Sequence, residues 1–504
     1  MALLTETYAD KIVGTLSCFD RVIITGSLVD IAYAEAMANT LRGSGVRLFD
    51  YTQFAEPLRD KVRANAERLA AENGLTIDYI TKKNFRKEER VKAIVKERGD
   101  HPGMVHIFSA MESCPSFRPW HDKKTGQTFL KGREAKCLHY YFYFIDEDLG
   151  LCYLRVPTWA PFRLQFYFNG HFWLARQLGR RKIAYTLQDN AFLGIDDFAK
   201  AQAIVDRFDV TKLHRRLDQY ARKLCPVVRQ FPSGIHWSIM QLEYATDIVF
   251  RTREDLQLLY EPLVRTTIHA VKAENVATFL GRKLDPRFAG EAGNDFHTRI
   301  EGTRVRHHLG PAALKMYDKH GSVLRIETTV NDVAFFKHHR RVEHRDGTNS
   351  MDLASVRKTI HSLGVMAELL YAANRRYLEF LSALDLPGGG IRQVEKVARP
   401  VREDDHNYPG FNLFHGDDLD LFLALVRGEF TISGFRNRHL QPLLDKTGGQ
   451  VSRLLKRLRL HGIVKKIGRT YKYYLTTFGQ TVTACALRLR DAVILPALAG
   501  LSQP

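Results

Sequence analysis

The segment that most constrains the fold runs from Phe296 to Asp332, where apolar and polar residues alternate as they do in β-strands. Turn signals at Gly310-Pro311 and His320-Gly321 divide it into three strand-like pieces. Successive side chains of a strand point to opposite faces. A hairpin that turns at 319–321 would therefore place four polar side chains on one face: Lys315, Tyr317, Arg325 and Glu327.

Such a face is costly in a core but useful for chemistry on phosphates. The strands Tyr317-Asp318-Lys319 and Arg325-Ile326-Glu327 resemble those of rolling-circle replication initiators and relaxase-like proteins of mobile elements. The resemblance implies that Tyr317 is a nucleophile attacking a DNA phosphodiester, and that a divalent metal, Mg²⁺ or Mn²⁺, polarises the phosphate. Glu327 would be a ligand or base, with Lys319 and Arg325 as further catalytic residues.

This segment has no His-hydrophobic-His metal pair. His307 and His308 are adjacent, so on a strand they point to opposite faces and cannot bind one ion together. A metal site would need Glu327, Asp318 or a distant carboxylate. The alternative is a charged face that grips a nucleic-acid backbone or closes salt bridges, with Arg304 and Arg306 upstream as further nucleic-acid contacts.

The net charge points to a polyanionic partner. The 504 residues carry a formal charge of +19, and nucleic acid is the usual partner of so basic a chain. Between Phe435 and Arg490 there are 13 lysines and arginines but a single acidic residue, Asp445. No basic helix with a bulky apolar face suggests a membrane surface instead.

A regular pattern underlies this basic segment. From Gln450 to His461, Val451, Leu454, Leu455 and Leu458 follow the spacing of one buried helical face. Gly462 would end this helix, and two β-rich runs around Gly468-Arg469 predict a hairpin. With a preceding helix at 437–445, the segment reads as a winged helix-turn-helix.

The run Leu458-x-x-x-Gly462-Ile-Val-Lys-Lys and the later Leu475-Thr-Thr-Phe-Gly479 resemble the MarR-type family. The resemblance implies a recognition helix in the major groove and wing contacts to phosphates or the minor groove. The wing tip of that family usually carries both acidic and basic residues, and this one does not. The resemblance therefore does not imply that the chain binds DNA operators in the same way. The basic residues expected to contact nucleic acid here are Arg453, Lys456, Arg457, Arg459, Lys465, Lys466, Arg469 and Lys472.

The first 195 residues divide into two predicted units. Residues 1–110 alternate strand and helix signals, which favours an α/β domain with a parallel or mixed sheet and strands at Arg21–Leu28 and Val46–Tyr51. Residues 111–195 form an aromatic β-rich unit with a hairpin at 138–156. Its tyrosines predict either an aromatic core or a platform that stacks unpaired bases through Tyr141, Tyr143 and Tyr167.

The remaining predicted units are a helical region at 196–290, a β-hairpin core with a long helix at 291–385, a linker at 386–410 and the winged helix at 411–490. A helix predicted at Ile239–Phe250 would bring Glu243 and Asp247 together, as a salt-bridged face or a metal site. The fold class is therefore α/β and α+β multidomain, with an N-terminal α/β sheet domain and a central mixed β/α region.

The chain has no segment typical of a transmembrane helix or secretion signal, so we expect a cytoplasmic location. Its six scattered cysteines predict reduced, buried thiols and no structural zinc site. The sequence favours a nucleic-acid-binding mobile-element-type protein that cuts a DNA strand with a divalent metal. Two alternatives stay open, namely a winged-helix transcriptional regulator without catalysis and an RNA-binding structural component of a ribonucleoprotein. The partner is expected to be DNA, with structured RNA as the alternative.

Overall fold

The fold is described from a computed structural model of the chain. The described residues are 3–82, 84–282, 292–299, 302–383, 388–412, 415–427, 429–430, 434–468, 470–495 and 498. The chain divides into two compact units, Met1–Leu384 and Asp385–Pro504. The division falls close to the start of the predicted linker at 386.

The first unit is built on one sheet of 11 strands. Its strands, together with the small hairpins β7–β8 and β14–β15, are β1 (Ile12–Leu28), β2 (Ile77–Tyr79), β3 (Gly103–His121), β4 (Thr128–Asp146), β5 (Gly150–Pro157), β6 (Leu164–Phe168), β7 (Tyr185–Gln188), β8 (Ala191–Ile195), β9 (Ile235–Phe250), β10 (Ala292–Arg299), β11 (Gly302–Leu309), β12 (Ala312–Lys319), β13 (Val323–Val330), β14 (Lys337–Glu343) and β15 (Asn349–Ser355). The order across the sheet is β10-β11-β12-β13-β9-β1-β6-β5-β4-β3-β2.

The first unit also contains ten described α-helices. They are α1 (Leu4–Thr7), α2 (Ala34–Gly43), α3 (Tyr51–Glu72), α4 (Lys87–Arg98), α5 (Gly170–Arg180), α6 (Phe198–Val205), α7 (Val210–Leu224), α8 (Arg253–Ala270), α9 (Ala273–Phe279) and α10 (Leu363–Ala383). Among the described helices, none combines the length and the apolar character needed to cross a membrane.

The sheet is mixed, as the sequence predicted, but almost all of its pairs are antiparallel. Among the described strands, only β2 and β3 pair in parallel. The predicted divisions near residues 110, 195 and 290 do not separate structural units, because strands from all four segments pair within the one sheet. The predicted strand at Val46–Tyr51 is wrong, since Leu48–Asp50 forms a short 3-10 turn that leads into α3.

The helix predicted at Ile239–Phe250 is also wrong. This stretch is the second half of β9, which pairs with β1 on one side and β13 on the other. Its last residues, from Tyr244 to Phe250, are all buried. A strand buried on both faces is a continuous apolar run, which periodicity alone cannot distinguish from a buried helix.

The hairpin of β12 and β13 is the one that the alternation predicts, with Tyr317 directly opposite Arg325 and Lys315 opposite Glu327. The other face of this part of the sheet is covered by α10. Asn374 on α10 accepts a hydrogen bond from Thr328 Oγ1 at 2.6 Å and donates one to the Tyr244 carbonyl oxygen at 3.0 Å. The long helix predicted within 291–385 is α10, which begins at Leu363 after 349–355 form β15.

The second unit contains two helices joined by a short turn and followed by a hairpin. Its elements are α11 (Gly388–Ala398), β16 (Val401–Glu403), β17 (His406–Tyr408), α12 (Gly416–Leu425), β18 (Phe435–Arg436), α13 (Asn437–Leu444), α14 (Gly448–Leu460), β19 (Val464–Lys466), β20 (Lys472–Leu475) and α15 (Thr477–Leu489). The predicted stripe on α14 is internal, since Val451, Leu455 and Leu458 are buried in the core of this unit. Within the predicted linker, the described residues form α11 and the β16–β17 hairpin.

Candidate functional site

The site forms where β13, β9 and β1 lie side by side, on the sheet face away from α10. Arg325 on β13 is fully buried there. Its Nε donates to Asp247 Oδ1 at 2.6 Å and its Nη2 donates to Asp247 Oδ2 at 2.7 Å. Its Nη1 lies 3.4 Å from Asp20 Oδ2 on β1. One guanidinium on β13 therefore joins a carboxylate of the adjacent strand β9 to a carboxylate of β1, the strand beyond it.

His171 completes this buried group from the start of α5. Its Nδ1 lies 3.1 Å from Asp20 Oδ1 and its Nε2 lies 3.2 Å from Asp247 Oδ2. The contact depends on Gly170, because a Cβ at that position would overlap the carbonyl oxygen of Phe19 on β1. Glycine thus lets the helix start close enough to β1 for His171 to reach Asp20.

The pKa values of this group follow from its charges. Burial would raise the pKa of Asp20, but Arg325 and His171 lower it below its usual range. The same balance lowers the pKa of Asp247 to about 2. Burial favours neutral His171, yet Cys18 and the hydrogen bonds to Asp20 and Asp247 together raise its pKa well above the usual value. Both carboxylates are therefore ionised at neutral pH.

An acidic trio lies beside this group. One carboxylate oxygen from each of Asp20, Glu243 and Glu327 lies within 4.8 Å of the others, so the three could hold a metal ion. Burial and the neighbouring Glu327 carboxylate raise the pKa of Glu243. Crowded carboxylates that disfavour each other's charge are relieved by a cation. The trio uses β1, β9 and β13, which are adjacent in the sheet.

The trio opens into a cavity of about 340 Å³ that is rich in cations. Its remaining lining residues are Asp189, Arg304, Lys315, Tyr317, Lys319 and His320. Lys315 donates to Glu327 Oε1 at 2.6 Å, and Tyr317 donates its phenolic proton to Glu327 Oε2 at 2.7 Å. Burial and the Glu327 carboxylate raise the pKa of Tyr317 well above its usual value.

Two of the cations have unusual surroundings. Lys319 donates to Asn190 Oδ1, and burial together with nearby Arg325 lowers the pKa of Lys319 to about 8. Arg304 lines the same cavity, and its buried Nε has no hydrogen-bond acceptor within the described part of the chain. A cavity with an acidic trio on one side and these cations on the other suits a phosphate bridged by a metal ion.

The structure therefore brings together all four predicted catalytic residues: Tyr317, Lys319 and Glu327 line the cavity, and Arg325 lies 3.4 Å from Asp20, which also lines it. Arg304, predicted as a nucleic-acid contact, lines the cavity as well. Arg306 follows two residues later on β11, and its Nη1 lies 3.7 Å from Asp295.

The prediction of Asp318 as a metal ligand is wrong. Asp318 follows Tyr317 directly on β12, so its side chain points to the opposite face. Its Oδ1 accepts from the Gly321 amide at 2.9 Å and its Oδ2 accepts from Gln257 at 3.0 Å. The carboxylate stabilises the hairpin turn and does not join the acidic trio.

Glu243 and Asp247 lie on the same face of β9, but they do not meet as the predicted helix required, because four residues of a strand span about 13 Å. Four residues is an even number, so a strand brings them to the same face as a helix does. They then take different partners, the acidic trio for Glu243 and Arg325 for Asp247. Asp20 and His171 were missed. The signal for Asp20 is a lone carboxylate within the apolar strand sequence CFDRVIITG.

The predicted base-stacking tyrosines are core residues. Tyr141 and Tyr143 are buried with Val91 of α4 in one apolar cluster, and Tyr167 packs against it. The rings of Tyr153 and Tyr167 stack at 5.1 Å between centroids. Alternation along β4 puts Tyr141 and Tyr143 on one face, but it does not show that α4 covers that face. The platform prediction is therefore wrong for these three residues.

The predicted basic residues of the second unit have three kinds of surroundings. Arg453, Arg459 and Lys465 are exposed, while Lys466 and Lys472 lie beside the rings of Tyr471 and Tyr474. Lys456 pairs with Glu403. Arg469 lies outside the described residues.

Arg457 has a structural role, which corrects its prediction as a nucleic-acid contact. It donates to both carboxylate oxygens of Asp418, at 2.7 and 2.9 Å, and to the Pro409 carbonyl oxygen at 2.9 Å. Its guanidinium also lies 3.9 Å from the centre of the Phe411 ring. With these partners it is not available to contact nucleic acid.

Comparison of the chain with protein-family models and with curated proteins found no match in either case.

Replacement of Arg325 by Met should destabilise the protein strongly. The substitution removes the guanidinium that both buried carboxylates share, and breaking a buried ion pair typically costs about 3–5 kcal/mol in the free energy of unfolding. Chemical denaturation of Arg325→Met beside the exposed-arginine control Arg47→Met would measure the loss. A variant as stable as the control would show that Arg325 does not hold the three strands together.

A divalent cation should stabilise the protein through the acidic trio. Protonated Glu243 competes with the cation, and its pKa is raised, so the stabilisation should grow as pH increases from about 5 to about 7.5. Thermal melting with Mn²⁺ would measure the shift, with Glu243→Gln expected to abolish it. An equal shift in Glu243→Gln, or in the control Glu35→Gln on α2, would place the cation elsewhere.

Proposed function

We propose that the first unit is a metal-dependent enzyme that cleaves phosphodiester bonds in nucleic acid, and that the second unit binds nucleic acid. The observation that carries the proposal is the Tyr317–Glu327 hydrogen bond beside the Asp20–Glu243–Glu327 trio. A nucleophile, its base and a candidate metal site lie on one sheet face within one polar cavity. The net charge of +19 supports a polyanionic substrate.

The geometry supports a specific division of roles. The Tyr317 oxygen would form a new bond to phosphorus, its proton would pass to Glu327, and the bond from phosphorus to one sugar oxygen would break. A divalent cation on the trio would neutralise charge on the phosphate. Because the pKa of Tyr317 is raised, the phenol is protonated at rest, and the attack needs Glu327 as its base.

Lys319 suits the departing sugar oxygen. With a pKa of about 8 it is largely protonated at neutral pH, yet it gives up its proton more readily than an ordinary lysine. The proton would pass from its ammonium group to the leaving oxygen. Arg304 is placed to donate a hydrogen bond to an anionic oxygen of the substrate, because its buried Nε lacks an acceptor within the described part of the chain.

In the second unit, the arrangement of α13, the turn and α14 followed by the β19–β20 hairpin supports a winged helix-turn-helix. Thr447 caps α14, since its hydroxyl accepts from the Gln450 amide. Arg453 and Arg459 are exposed on α14, and Lys465 is exposed on β19. These cations would contact phosphates or base edges if α14 enters a major groove.

The catalytic proposal predicts nicking of supercoiled DNA with Mg²⁺ or Mn²⁺ and a covalent protein–DNA adduct that survives detergent. Tyr317→Phe should lose both the nicking and the adduct, because it lacks the attacking oxygen. Glu327→Gln should reduce nicking by about 100-fold or more, since it removes both a base and a ligand. Gel electrophoresis of the plasmid would measure these rates.

Tyr79→Phe on β2 is the matched control, because β2 is the edge strand at the far end of the sheet from β10 and Tyr79 is exposed. Full nicking by Glu327→Gln would contradict the proposed site. Nicking by Tyr317→Phe without an adduct would make water the nucleophile. A structured RNA substrate assayed in parallel would reveal a preference for RNA.

The binding proposal separates two arginines of α14. Arg453→Ala should fold normally, weaken duplex DNA binding, and lower the slope of log K against log salt by about one, as expected for a lost phosphate contact. Arg457→Ala should instead lower the melting temperature, because Asp418 loses its bidentate partner. Fluorescence anisotropy across a salt series would measure the slopes, with exposed Arg402→Ala on β16 as control. An unchanged slope for Arg453→Ala would remove α14 from the interface.

A further inference from the structure

The end of the β3–β4 hairpin carries a second basic and aromatic surface. Trp120 on β3 lies directly opposite Phe129 on β4, and Arg118 lies directly opposite Lys131. These four residues share one face, which we call the hairpin patch. The aromatic pair is exposed, at 43% for Trp120 and 41% for Phe129.

The rings of Trp120 and Phe129 do not supply the buried contacts that hold this hairpin against the rest of the unit. The other face of the same hairpin supplies the buried side chains, among them Phe117 and Leu130. Phe117 packs edge-on against the ring of Tyr51, with 6.0 Å between centroids. The hairpin is therefore anchored without Trp120 or Phe129, and a paired Trp and Phe left in solvent is a typical mark of a binding surface.

The charges around the rings define the partner. The Arg118 guanidinium and the Lys131 ammonium each lie 5.3 Å from the centre of the Trp120 ring. Residues 118–136 hold six lysines and arginines but only two acidic residues, Asp122 and Glu134. Rings flanked by cations match the repeating unit of a single nucleic-acid strand, in which each exposed base is followed by a phosphate.

We propose that the hairpin patch binds single-stranded nucleic acid, with bases stacked on Trp120 and Phe129 and phosphates paired with Arg118 and Lys131. A duplex keeps its bases stacked inside, so the patch selects unpaired strands. The inference rests on the proposed function, because it supplies the place where that enzyme would hold a displaced or unpaired strand. The stacking surface would thus be the exposed start of β4 at Phe129, not the buried Tyr141 and Tyr143 that the sequence predicted.

The test measures binding by the full chain without added metal, so that cleavage does not interfere. The probes are fluorescein-labelled oligothymidylate and oligouridylate of about 20 nucleotides, and a duplex of equal length, at about 100 mM salt. The variants are Trp120→Ala and Trp120→Phe, which retains a ring. Phe49→Ala is the matched control, because Phe49 is 62% exposed and lies outside the patch. Thermal melting verifies that each variant is folded.

Trp120→Ala should weaken binding of one or both single strands by about fivefold or more, as expected for the loss of one stacked base. Trp120→Phe should recover part of the affinity. Phe49→Ala should match wild type, and duplex binding should change by less than about twofold in every variant. The thymidylate and uridylate arms show whether the strand held there is DNA or RNA.

Single-strand affinity in Trp120→Ala within about twofold of wild type would overturn the inference. An equal loss on the duplex would also overturn it, since it would show a general electrostatic contact. Anionic phospholipid vesicles form a further arm, and binding to vesicles alone would assign the patch to a membrane. If Trp120→Ala kept both nicking and single-strand binding, the proposed enzyme activity would be supported and the hairpin patch would not. Strand binding lost in Trp120→Ala, with no metal-dependent cleavage by wild type, would leave the patch without the enzyme.

Discussion

The structure depends on the fully buried guanidinium of Arg325, which joins Asp247 on β9 to Asp20 on β1. Two carboxylates cannot be buried so closely without a cation, and a buried arginine requires acceptors in return. The three charges are therefore stable only together, and only when β13, β9 and β1 lie side by side. Because His171 on α5 also contacts Asp20, the position of α5 depends on the same group of charges. Residues far apart in the chain are thus committed to one arrangement of the sheet.

This buried group also determines what the neighbouring cavity can do. Asp20 belongs both to the charge network and to the acidic trio, so the position of one candidate metal ligand is set by Arg325. The positive charge of Arg325 keeps Asp20 ionised and contributes to the lowered pKa of Lys319. A stabilising ion pair and a candidate catalytic centre thus share one carboxylate.

Short-range sequence patterns correctly predicted the elements in which the direction of each side chain depends only on residues two to four positions away. Alternation along β12 and β13 placed Tyr317 and Glu327 on one face, where they are hydrogen-bonded. Spacing along α14 identified its buried stripe. The same alternation places Asp318, which is adjacent to Tyr317, on the opposite face, and the prediction of Asp318 as a metal ligand overlooked this. Where a strand is buried on both sides, as β9 is from Tyr244 to Phe250, alternation disappears, and the sequence predicted a helix.

The sequence by itself determined the basic charge, the β12–β13 hairpin with its polar face, and the helices and hairpin near the C-terminus. These depend on residue type and on spacings of two to four residues, which act within a single element. Only the tertiary structure decided that Asp20 and His171 join that face, that α4 covers Tyr141, and that Trp120 stays exposed. Each of these depends on which distant segment packs against a residue. Burial and ion pairing between distant residues are set by the whole fold, and no short spacing encodes them.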